Sequence, residues 1–247
     1  MNIIADTHCH TIASTHAYSS LTEVVHAASL AGLYAVAITD HGRTMPGAPG
    51  KWYFRNLQVV PRYLENVLVL RGIEANVINY NGELDLDEDD LVTLNWVVAS
   101  MHDVTMPQGK SSVEQCTGAW LRVAQNPHVH VIAHSGSEKF KYDYEKVIPE
   151  FGRQGKLVEI NEGSFLVRKA SVQNCVSIAK TCKKYGVPII VNSDSHFHTS
   201  VGKFSQALAM LNEINFPEEL VVNSSVERFQ KYLSEHTNLV LEDNQNN

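Results

Sequence analysis

Short apolar runs recur along the chain about once every 30 residues, which is the length of one βα unit. Seven runs, rich in β-branched residues, predict β-strands at 3–5, 35–39, 67–70, 96–100, 129–133, 157–160 and 188–192. An eighth run, at 220–222, is too short to be counted as a strand. The regular interval therefore predicts strands that alternate with helices.

Between and after these strands, apolar residues fall at the spacing of amphipathic helices. Six such segments are predicted as helices: 21–31, 112–125, 142–153, 171–185, 203–214 and 226–235. Gly32, Gly155 and Gly186 stand where three of them end, as is typical of a helix C-cap. Each strand is nearly all apolar, which indicates a parallel sheet covered by helices on both faces. The predicted fold class is α/β, and the period fits both an open doubly wound sheet and a closed TIM-like barrel.

The chain of 247 residues shows no Gly/Pro/Ser-rich linker and no block of like charge that would divide it. We therefore predict one domain over 1–241 and a polar, frayed tail over 242–247. The acidic segment 84–90 is interpreted as a loop or helix start. No apolar run approaches the ~18 residues of a membrane span, signal-peptide features are absent, and the four cysteines are widely spread. These features predict a cytoplasmic protein without a membrane partner or a disulfide framework.

Two features of the composition bear on function. Lys and Arg number 20 against 27 Asp and Glu, a net charge of −7, which argues against binding nucleic acid through a basic surface. The 12 histidines, by contrast, are unusually many for a chain that is otherwise ordinary in composition. The positions of the histidines along the strand–helix repeat indicate where the functional site lies.

Six of the seven predicted strands deliver a histidine or a carboxylate at their C-terminal end, where parallel α/β folds place their ligands. The nine candidate metal ligands are His8, His10, His16, His41, Glu74, His102, His134, Asp194 and His196. Side chains two residues apart on a strand share a face, so the pairs at 8 and 10 and at 194 and 196 can converge. Imidazole and carboxylate both bind zinc, and a carboxylate such as Glu74 can bridge neighbouring ions. Buried together without metal, nine such groups would lack partners, so a metal centre is predicted.

The remaining histidines are assigned other roles. Four of them are interpreted as structural or solvated: His26, His128, His130 and His236. His198 follows the last pair of candidate ligands and is a further candidate for the site. Cys9 is expected to face the helix layer, on the side opposite to its two neighbouring histidines.

Charged residues near the candidate ligands have predicted supporting roles. Asp6 and Asp40 are expected to orient ligand imidazoles. Arg168 follows the sixth strand and is the candidate phosphate contact, because a guanidinium can fork onto phosphate oxygens. A solvated basic loop is the alternative interpretation of Arg168. Lys169 and Arg43 are weaker candidates of the same kind.

Four motifs resemble those of the polymerase and histidinol phosphatase (PHP) family. They are DTHCHT at 6–11, TDHG at 39–42, GIEAN at 72–76 and SDSH at 193–196. The segment ASTHAYS at 13–19 resembles the YcdX-like phosphatase subgroup, and the resemblance extends from about residue 3 to about residue 235. Two motifs depart from the subgroup pattern, MHDV at 101–104 and HSG at 134–136. Both keep the histidine but change the loop after it, which bears on substrate selection.

The resemblance implies a distorted seven-stranded β/α barrel in one domain, with three metal ions at its C-terminal mouth. Zinc is the implied metal, with Mn²⁺ or Fe²⁺ as substitutes. By the same resemblance, the first ion is held by His8, His10, Glu74 and Asp194. The second is held by His16, His41 and His196, and the third by His102, His134 and the shared Glu74.

Three divalent ions beside Glu74 and Asp194 would leave about four positive charges, which favours an anion such as a phosphate ester. The predicted nucleophile is a hydroxide held by the metal cluster, attacking the phosphorus of a small phosphomonoester. The predicted protein is thus a metal-dependent phosphatase with a small-molecule substrate and no stable nucleic-acid partner. Three alternatives stay open: a nuclease acting on short oligonucleotides or phosphodiester ends, a metal amidohydrolase, and a metal-storage or sensing protein. The oligomeric state is also open.

Overall fold

The computed structural model describes residues 1–240, so the tail predicted at 242–247 lies outside the described residues. Its strands are β1 Ala5–Cys9, β2 Ala35–Ile38, β3 Tyr63–Leu64, β4 Val67–Asn76, β5 Trp96–Ser100, β6 Val131–Ile132, β7 Leu157–Asn161 and β8 Ile189–Asn192. Its α-helices over this range are α1 Leu21–Leu30, α2 Lys51–Asn56, α3 Glu88–Leu91, α4 Val113–Ala124, α5 Tyr144–Arg153, α6 Glu162–Leu166, α7 Val172–Tyr185, α8 Ser205–Glu213 and α9 Val226–His236.

Seven parallel strands form a nearly closed barrel. Each strand in the order β1-β2-β4-β5-β6-β7-β8 pairs in parallel with the next. The first and last strands meet through a parallel bridge between Cys9 and Ser195, and the His10 amide donates to the Ser195 carbonyl at 2.8 Å. This contact distinguishes a barrel from an open sheet. The predicted β/α barrel is therefore confirmed.

The barrel interior is apolar at one end and polar at the other. Ala37 of β2 and Leu70 of β4 belong to one buried apolar cluster. Continuing the two-residue alternation along the same strands brings His41 and Glu74 to the interior at the C-terminal mouth. Helix α9 covers the opposite end, and it contributes Phe229, Tyr232 and Leu233 to the same apolar cluster. The fold thus separates an apolar floor from a mouth lined with polar groups.

A β-bulge in β1 turns two histidines towards the interior. The register between β1 and β2 shifts between Asp6 and Cys9. Ala5 packs in the interior cluster whereas Cys9 packs in the outer layer beside α1, as predicted for Cys9. Because a bulge re-aims the side chains beside it, His8 and His10 face the mouth. The strand covers 5–9 rather than the predicted 3–5, so polar residues lie inside it.

The strand β4 is longer than predicted and has an unpredicted partner. It spans Val67–Asn76 instead of 67–70, so Glu74 lies within the sheet. The short strand β3 pairs with its start in antiparallel orientation. The two-residue turn between them consists of Glu65 and Asn66, with φ of 50° and 63°. Two consecutive positive φ values suit a type I′ hairpin, and Asn66 is the sequence signal for it.

The helix ends follow local sequence rules. Ser20 and Ser112 each form a capping box at the predicted starts of α1 and α4. Gly186 is the left-handed C-cap of α7, as predicted. The short helices α2, α3 and α6 follow strands, and α3 lies in the acidic segment predicted as a loop or helix start. None of the helices over residues 1–240 has the length and apolar character needed to cross a lipid bilayer.

Candidate metal centre

Seven histidine side chains form a closed series of ring contacts at the mouth of the barrel. Neighbouring centroids lie 4.3–6.0 Å apart along the series His196, His16, His41, His102, His134, His8 and His10. His10 and His196 close the series at 4.3 Å. All seven histidines predicted as ligands are therefore brought together, from the ends of five different strands.

Glu74 lies among these rings, and its two carboxylate oxygens face different donors. Its side chain is only 1% exposed. Oε1 faces two imidazole nitrogens, Nε2 of His102 at 3.3 Å and Nε2 of His134 at 2.8 Å. Oε2 faces three others, which are Nε2 of His8 at 3.5 Å, Nε2 of His10 at 3.5 Å and Nδ1 of His41 at 2.6 Å. This two-sided arrangement suits a carboxylate that bridges cations.

Asp194 supplies the second carboxylate of the cluster from the loop after β8. Its Oδ1 lies 3.2 Å from Nε2 of His10 and 3.6 Å from Nε2 of His8. Its Oδ2 accepts a hydrogen bond from Nη1 of Arg168 at 3.2 Å, so the guanidinium lies beside the cluster, and its role as a phosphate contact stays a prediction. The backbone φ of Asp194 is 57°, a conformation that non-glycine residues rarely adopt and that is enriched at functional sites.

Several buried polar atoms of the cluster have no hydrogen-bond partner. Among the described residues, these atoms include Nε2 of His8, both ring nitrogens of His10, Nδ1 of His41 and Oε2 of Glu74; the last two lie 2.6 Å apart but are not aligned for a hydrogen bond. Leaving such a group unpaired costs about 1–3 kcal/mol, so a cluster of them requires an explanation. Lone pairs of imidazole and carboxylate that face one another are explained by a shared cation. The residues present therefore fit a divalent metal.

Three sets of donor atoms each lie within 4.8 Å of one another. The sets are His8, His10 and Asp194; His10, His41 and His196; and His41, Glu74 and His102. The first set contains three of the four ligands expected for the first ion. The second contains two of those expected for the second ion, together with His10. Because His10 and His41 each occur in two sets, the assignment of ligands to individual ions stays a prediction.

The electrostatic field of the site favours positive charge at its centre. Burial disfavours a charged imidazole at His8, yet Glu159, Asp194 and Glu74 raise its pKa well above the usual value. Burial also opposes ionisation of Glu74, yet neighbouring imidazoles, first of all His41, hold its pKa well below the usual value. The carboxylates are therefore ionised, as cation ligands must be.

Asp6 and Asp40 hold loops rather than ligand imidazoles, so this part of the prediction is wrong. The Asp6 carboxylate accepts hydrogen bonds at 3.0 and 2.9 Å from two backbone amides in the loop that carries Asp194. Asp40 accepts three hydrogen bonds of 2.7–2.8 Å from the loop that carries His16. Both aspartates are buried, and they fix the backbone of loops that carry predicted ligands.

Glu159 contacts two predicted ligands and was missed by the sequence analysis. It lies on β7, where its Oε1 accepts from Nδ1 of His8 at 2.7 Å and its Oε2 accepts from the backbone amide of His134 at 2.9 Å. The sequence signal is a single acidic residue inside an apolar strand, two positions after the interior-facing Leu157.

A second buried chain of polar groups supports His102. Oδ1 of Asn76 accepts from Nδ1 of His102 at 2.7 Å. Nδ2 of Asn76 in turn donates to Asp85 at 2.7 Å. Asp85 is 1% exposed and lies in the acidic segment that we interpreted only as a loop or helix start. The acidic composition of this segment gives no indication that Asp85 accepts a hydrogen bond from Asn76.

Three further candidates lie away from the histidine cluster. Nδ1 of His198 is 3.1 Å from the Ser19 hydroxyl, and His198 belongs to none of the three donor sets. Arg43 pairs with Asp87 at 3.6 Å. Lys169 is exposed on a short 3₁₀ turn. Of the three basic candidates Arg43, Arg168 and Lys169, Arg168 is therefore the one that contacts a predicted ligand.

The remaining predictions for histidines and cysteines agree with the structure. His130 has a structural role, since its Nδ1 accepts from the Val97 amide at 2.9 Å and its ring stacks on Trp96. His26 and His236 are exposed, as predicted. Four buried, free thiols are present: Cys9, Cys116, Cys175 and Cys182.

Comparison with known proteins relates this site to a family. The family model of the PHP domain matches residues 6–163. A probable phosphatase of Acetivibrio thermocellus is 45% identical over 233 residues, which cover 94% of this chain and 96% of that protein. A probable phosphatase of Caldicellulosiruptor bescii is 44% identical over 236 residues, which cover 96% of this chain and 98% of that protein.

A solved structure shares the fold. The histidinol phosphate phosphatase of Lactococcus lactis, complexed with zinc, L-histidinol and phosphate, superposes with a TM-score of 0.59 at 16% identity. The match covers 88% of this chain and 95% of that one. The family match spans more than half of the residues, and the relatives align over nearly the whole length. The chain therefore belongs to the PHP domain family.

Proposed function

We propose that this protein is a metal-dependent phosphatase that hydrolyses small phosphomonoesters in a single domain over 1–241. The observation that carries the proposal is the closed series of seven imidazoles, five of which face Glu74, with several buried donor atoms that have no hydrogen bond. Relatives described as probable phosphatases, 44–45% identical over nearly the whole chain, support it.

The proposed centre holds three zinc ions, for which Mn²⁺ or Fe²⁺ can substitute. His8, His10, Glu74 and Asp194 would hold the first ion. The second would be held by His16, His41 and His196, and the third by His102, His134 and Glu74. The opposed contacts of the two Glu74 oxygens support a shared ligand. The zinc in the structural neighbour from Lactococcus lactis supports the choice of metal.

The chain's own residues divide the work of binding and orientation. Divalent cations bound there would polarise the phosphoryl oxygens and ionise the attacking water near neutral pH. Arg168 is 31% exposed, and its bond to Asp194 fixes the guanidinium beside the cluster. Because a guanidinium has five N–H donors, Arg168 can bind phosphate oxygens while it keeps that bond.

The charges around the centre favour a small anionic substrate. Glu159 adds one negative charge and Arg168 one positive charge, so the excess of about four positive charges from three ions and two carboxylate ligands is unchanged. The chain as a whole is acidic, with a net charge of −7 before any metal binds, which disfavours a long polyanion such as nucleic acid. The four free thiols support the proposal that the protein acts in the reducing cytoplasm.

The test combines elemental analysis with a substrate panel. Protein purified without chelator is analysed for zinc, manganese and iron, and then assayed on phosphomonoesters, single-stranded oligonucleotides and amides. We expect about three ions per chain and turnover of small phosphomonoesters, with oligonucleotides left intact. Faster release of nucleotides from oligonucleotide ends would replace the phosphatase by a nuclease. Full metal content without phosphoester turnover would instead favour storage or sensing.

A further inference from the structure

The carboxylate of Glu159 is saturated by four N–H donors from different parts of the barrel. Oε1 accepts from Nδ1 of His8 at 2.7 Å and from Nδ2 of Asn192 at 2.9 Å. Oε2 accepts from the backbone amide of His134 at 2.9 Å and from Nδ2 of Asn161 at 3.0 Å. A carboxylate offers about four lone-pair positions, so each is used. The side chain is fully buried.

Neighbouring contacts fix the direction of these bonds. The amide of Asn192 is oriented because its Oδ1 accepts from both the backbone amide and the hydroxyl of Thr7, each at 2.8 Å. Its Nδ2 must therefore donate to Glu159. The backbone amide of His134 is a donor in any case. Residue 159 consequently needs a hydrogen-bond acceptor at both terminal atoms of its side chain. A glutamine has only one, because its NH₂ group is a donor.

These bonds determine the orientation of two predicted ligands, His8 and His134. With Nδ1 of His8 donating to Glu159, Nε2 is the ring nitrogen left to bind a cation, and this buried atom has no hydrogen-bond partner. His134 has a φ of 26°, which a non-glycine residue rarely adopts, and the bond to its amide holds it there. One carboxylate thus orients donors on two sides of Glu74.

We propose that Glu159 is a positioning residue of the metal centre, which sets the tautomer of His8 and the backbone conformation of His134. The inference rests on the proposed metal-dependent function. Asn161 extends the same network, since its Nδ2 also lies 3.2 Å from Oδ2 of Asp194. Glu159 therefore reaches the centre through three of the nine predicted ligands, although it is not itself one of them.

The diagnostic substitution is Glu159→Gln. The glutamine NH₂ would face N–H donors on one side of the residue, so either His8 or His134 would lose its acceptor. The readout is the zinc affinity of metal-free protein, measured by titration with zinc alone against a competing chelator. We expect binding to at least one zinc site to weaken about 10–100-fold, the usual effect of losing a partner behind a metal-ligating histidine. Co²⁺-loaded protein should show an altered visible absorption spectrum.

Glu162→Gln is the matched control. Glu162 is also buried, at 4% exposed, and lies three residues along the chain. Its carboxylate accepts from the backbone amides of Gln206 and Ala207 at 3.0 and 2.8 Å, at the start of α8 and away from the histidines. We expect this variant to melt at a lower temperature but to bind zinc as the unaltered protein does.

Glu159→Asp supplies a second test if Glu159→Gln does not fold. The shorter side chain keeps two acceptor oxygens and should recover part of the zinc affinity. Unchanged zinc affinity in both Glu159 variants would overturn the inference, as would an equal loss in Glu162→Gln. If the unaltered protein bound no zinc, manganese or iron, the proposed function itself would fail, which is a separate outcome.

Discussion

Single residues at the mouth are held in conformations that their own preferences disfavour. His134 and Asp194 both have positive φ values, of 26° and 57°. Such backbone strain costs about 1–3 kcal/mol for each residue and persists only where surrounding contacts over-determine it. Glu159 supplies such a contact for His134. Asp6 does so for the loop of Asp194, so buried carboxylates offset strain that serves ligand placement.

Glu74→Ala tests the shared ligand. The substitution removes both oxygens that face the imidazoles, so ions on either side lose a donor. We expect fewer zinc ions per chain by elemental analysis, a loss of at least about 100-fold in kcat/KM, and retention of the folded barrel by circular dichroism. Full metal content and an unchanged rate in Glu74→Ala would show that Glu74 is not a ligand shared between ions. Glu83→Ala, at an exposed glutamate, is the control.

Arg168→Ala tests the phosphate contact. A charged hydrogen bond contributes about 1.5–3 kcal/mol, so KM for a phosphomonoester should rise about tenfold or more. Zinc content should stay unchanged, because the contact of Arg168 with Asp194 is an ion pair rather than a ligand bond. Lys169→Ala, at the exposed neighbour, should leave both quantities unaltered. An unchanged KM in Arg168→Ala would make Arg168 a surface residue.

At the scale of elements, the loops after the strands carry most of the predicted ligands and are tied to one another by buried acceptors. Asp85, which precedes α3, accepts from the backbone amide and side chain of Asn76 and from Thr44 after β2. Asn76 in turn orients His102. The position of one ligand therefore depends on packing between three loops.

Gly42→Ala tests this coupling. A Cβ at Gly42 would lie 2.3 Å from Oδ1 of Asp85, and Asp85 cannot move without releasing Asn76. We expect the free energy of unfolding to fall by about 1–3 kcal/mol, measured by urea denaturation, together with weaker zinc binding. Gly50→Ala is the control, since a Cβ there meets nothing within 4 Å. Equal free energies of unfolding and equal zinc binding in the two variants would contradict a role for the close contact between Gly42 and Asp85.

At the scale of the whole molecule, stability and chemistry occupy opposite ends of the barrel. The floor contains Trp96, against which Phe229 of α9 packs with 5.9 Å between ring centroids. His130 lies at this end, with its ring stacked on Trp96. The mouth carries buried charge instead, as in other barrels whose sites lie at the C-terminal ends of the strands.

The buried His130 predicts a pH dependence of stability. Burial, together with the charge of Lys156, lowers the pKa of His130 to about 3. An unfolded histidine takes up a proton below about pH 6.5. Protons therefore favour the unfolded chain, and stability that is present above pH 6.5 is lost as the pH falls. Between pH 7.5 and 5.5 the loss from this residue is about 1.4 kcal/mol.

His130→Gln isolates this contribution. Urea denaturation at pH 7.5 and 5.5 should show a steeper loss of stability in the unaltered protein than in the variant, by about 1 kcal/mol. Histidines at the mouth are common to both proteins, so their titration cancels in the comparison. Parallel pH dependences would show that His130 titrates normally in the folded state.

Much of the architecture and most of the candidate site follow from local patterns. The spacing of apolar residues identified the seven barrel strands and the main helices, because burial of one face requires a periodic sequence. The same alternation placed His41 and Glu74 at strand ends facing one mouth. Arg168 was identified from its position after a strand, and it contacts Asp194.

Tertiary structure decided what depends on pairing between distant segments. Closure of the barrel rests on the contact between Cys9 and Ser195, and the bulge in β1 that aims His8 follows from its register with β2. Glu159 became part of the centre only when the barrel placed β7 beside β6 and one strand away from β1, since its histidine partners lie far away in the chain. Spacing along a chain determines which side chains share a face, whereas long-range packing determines what that face meets.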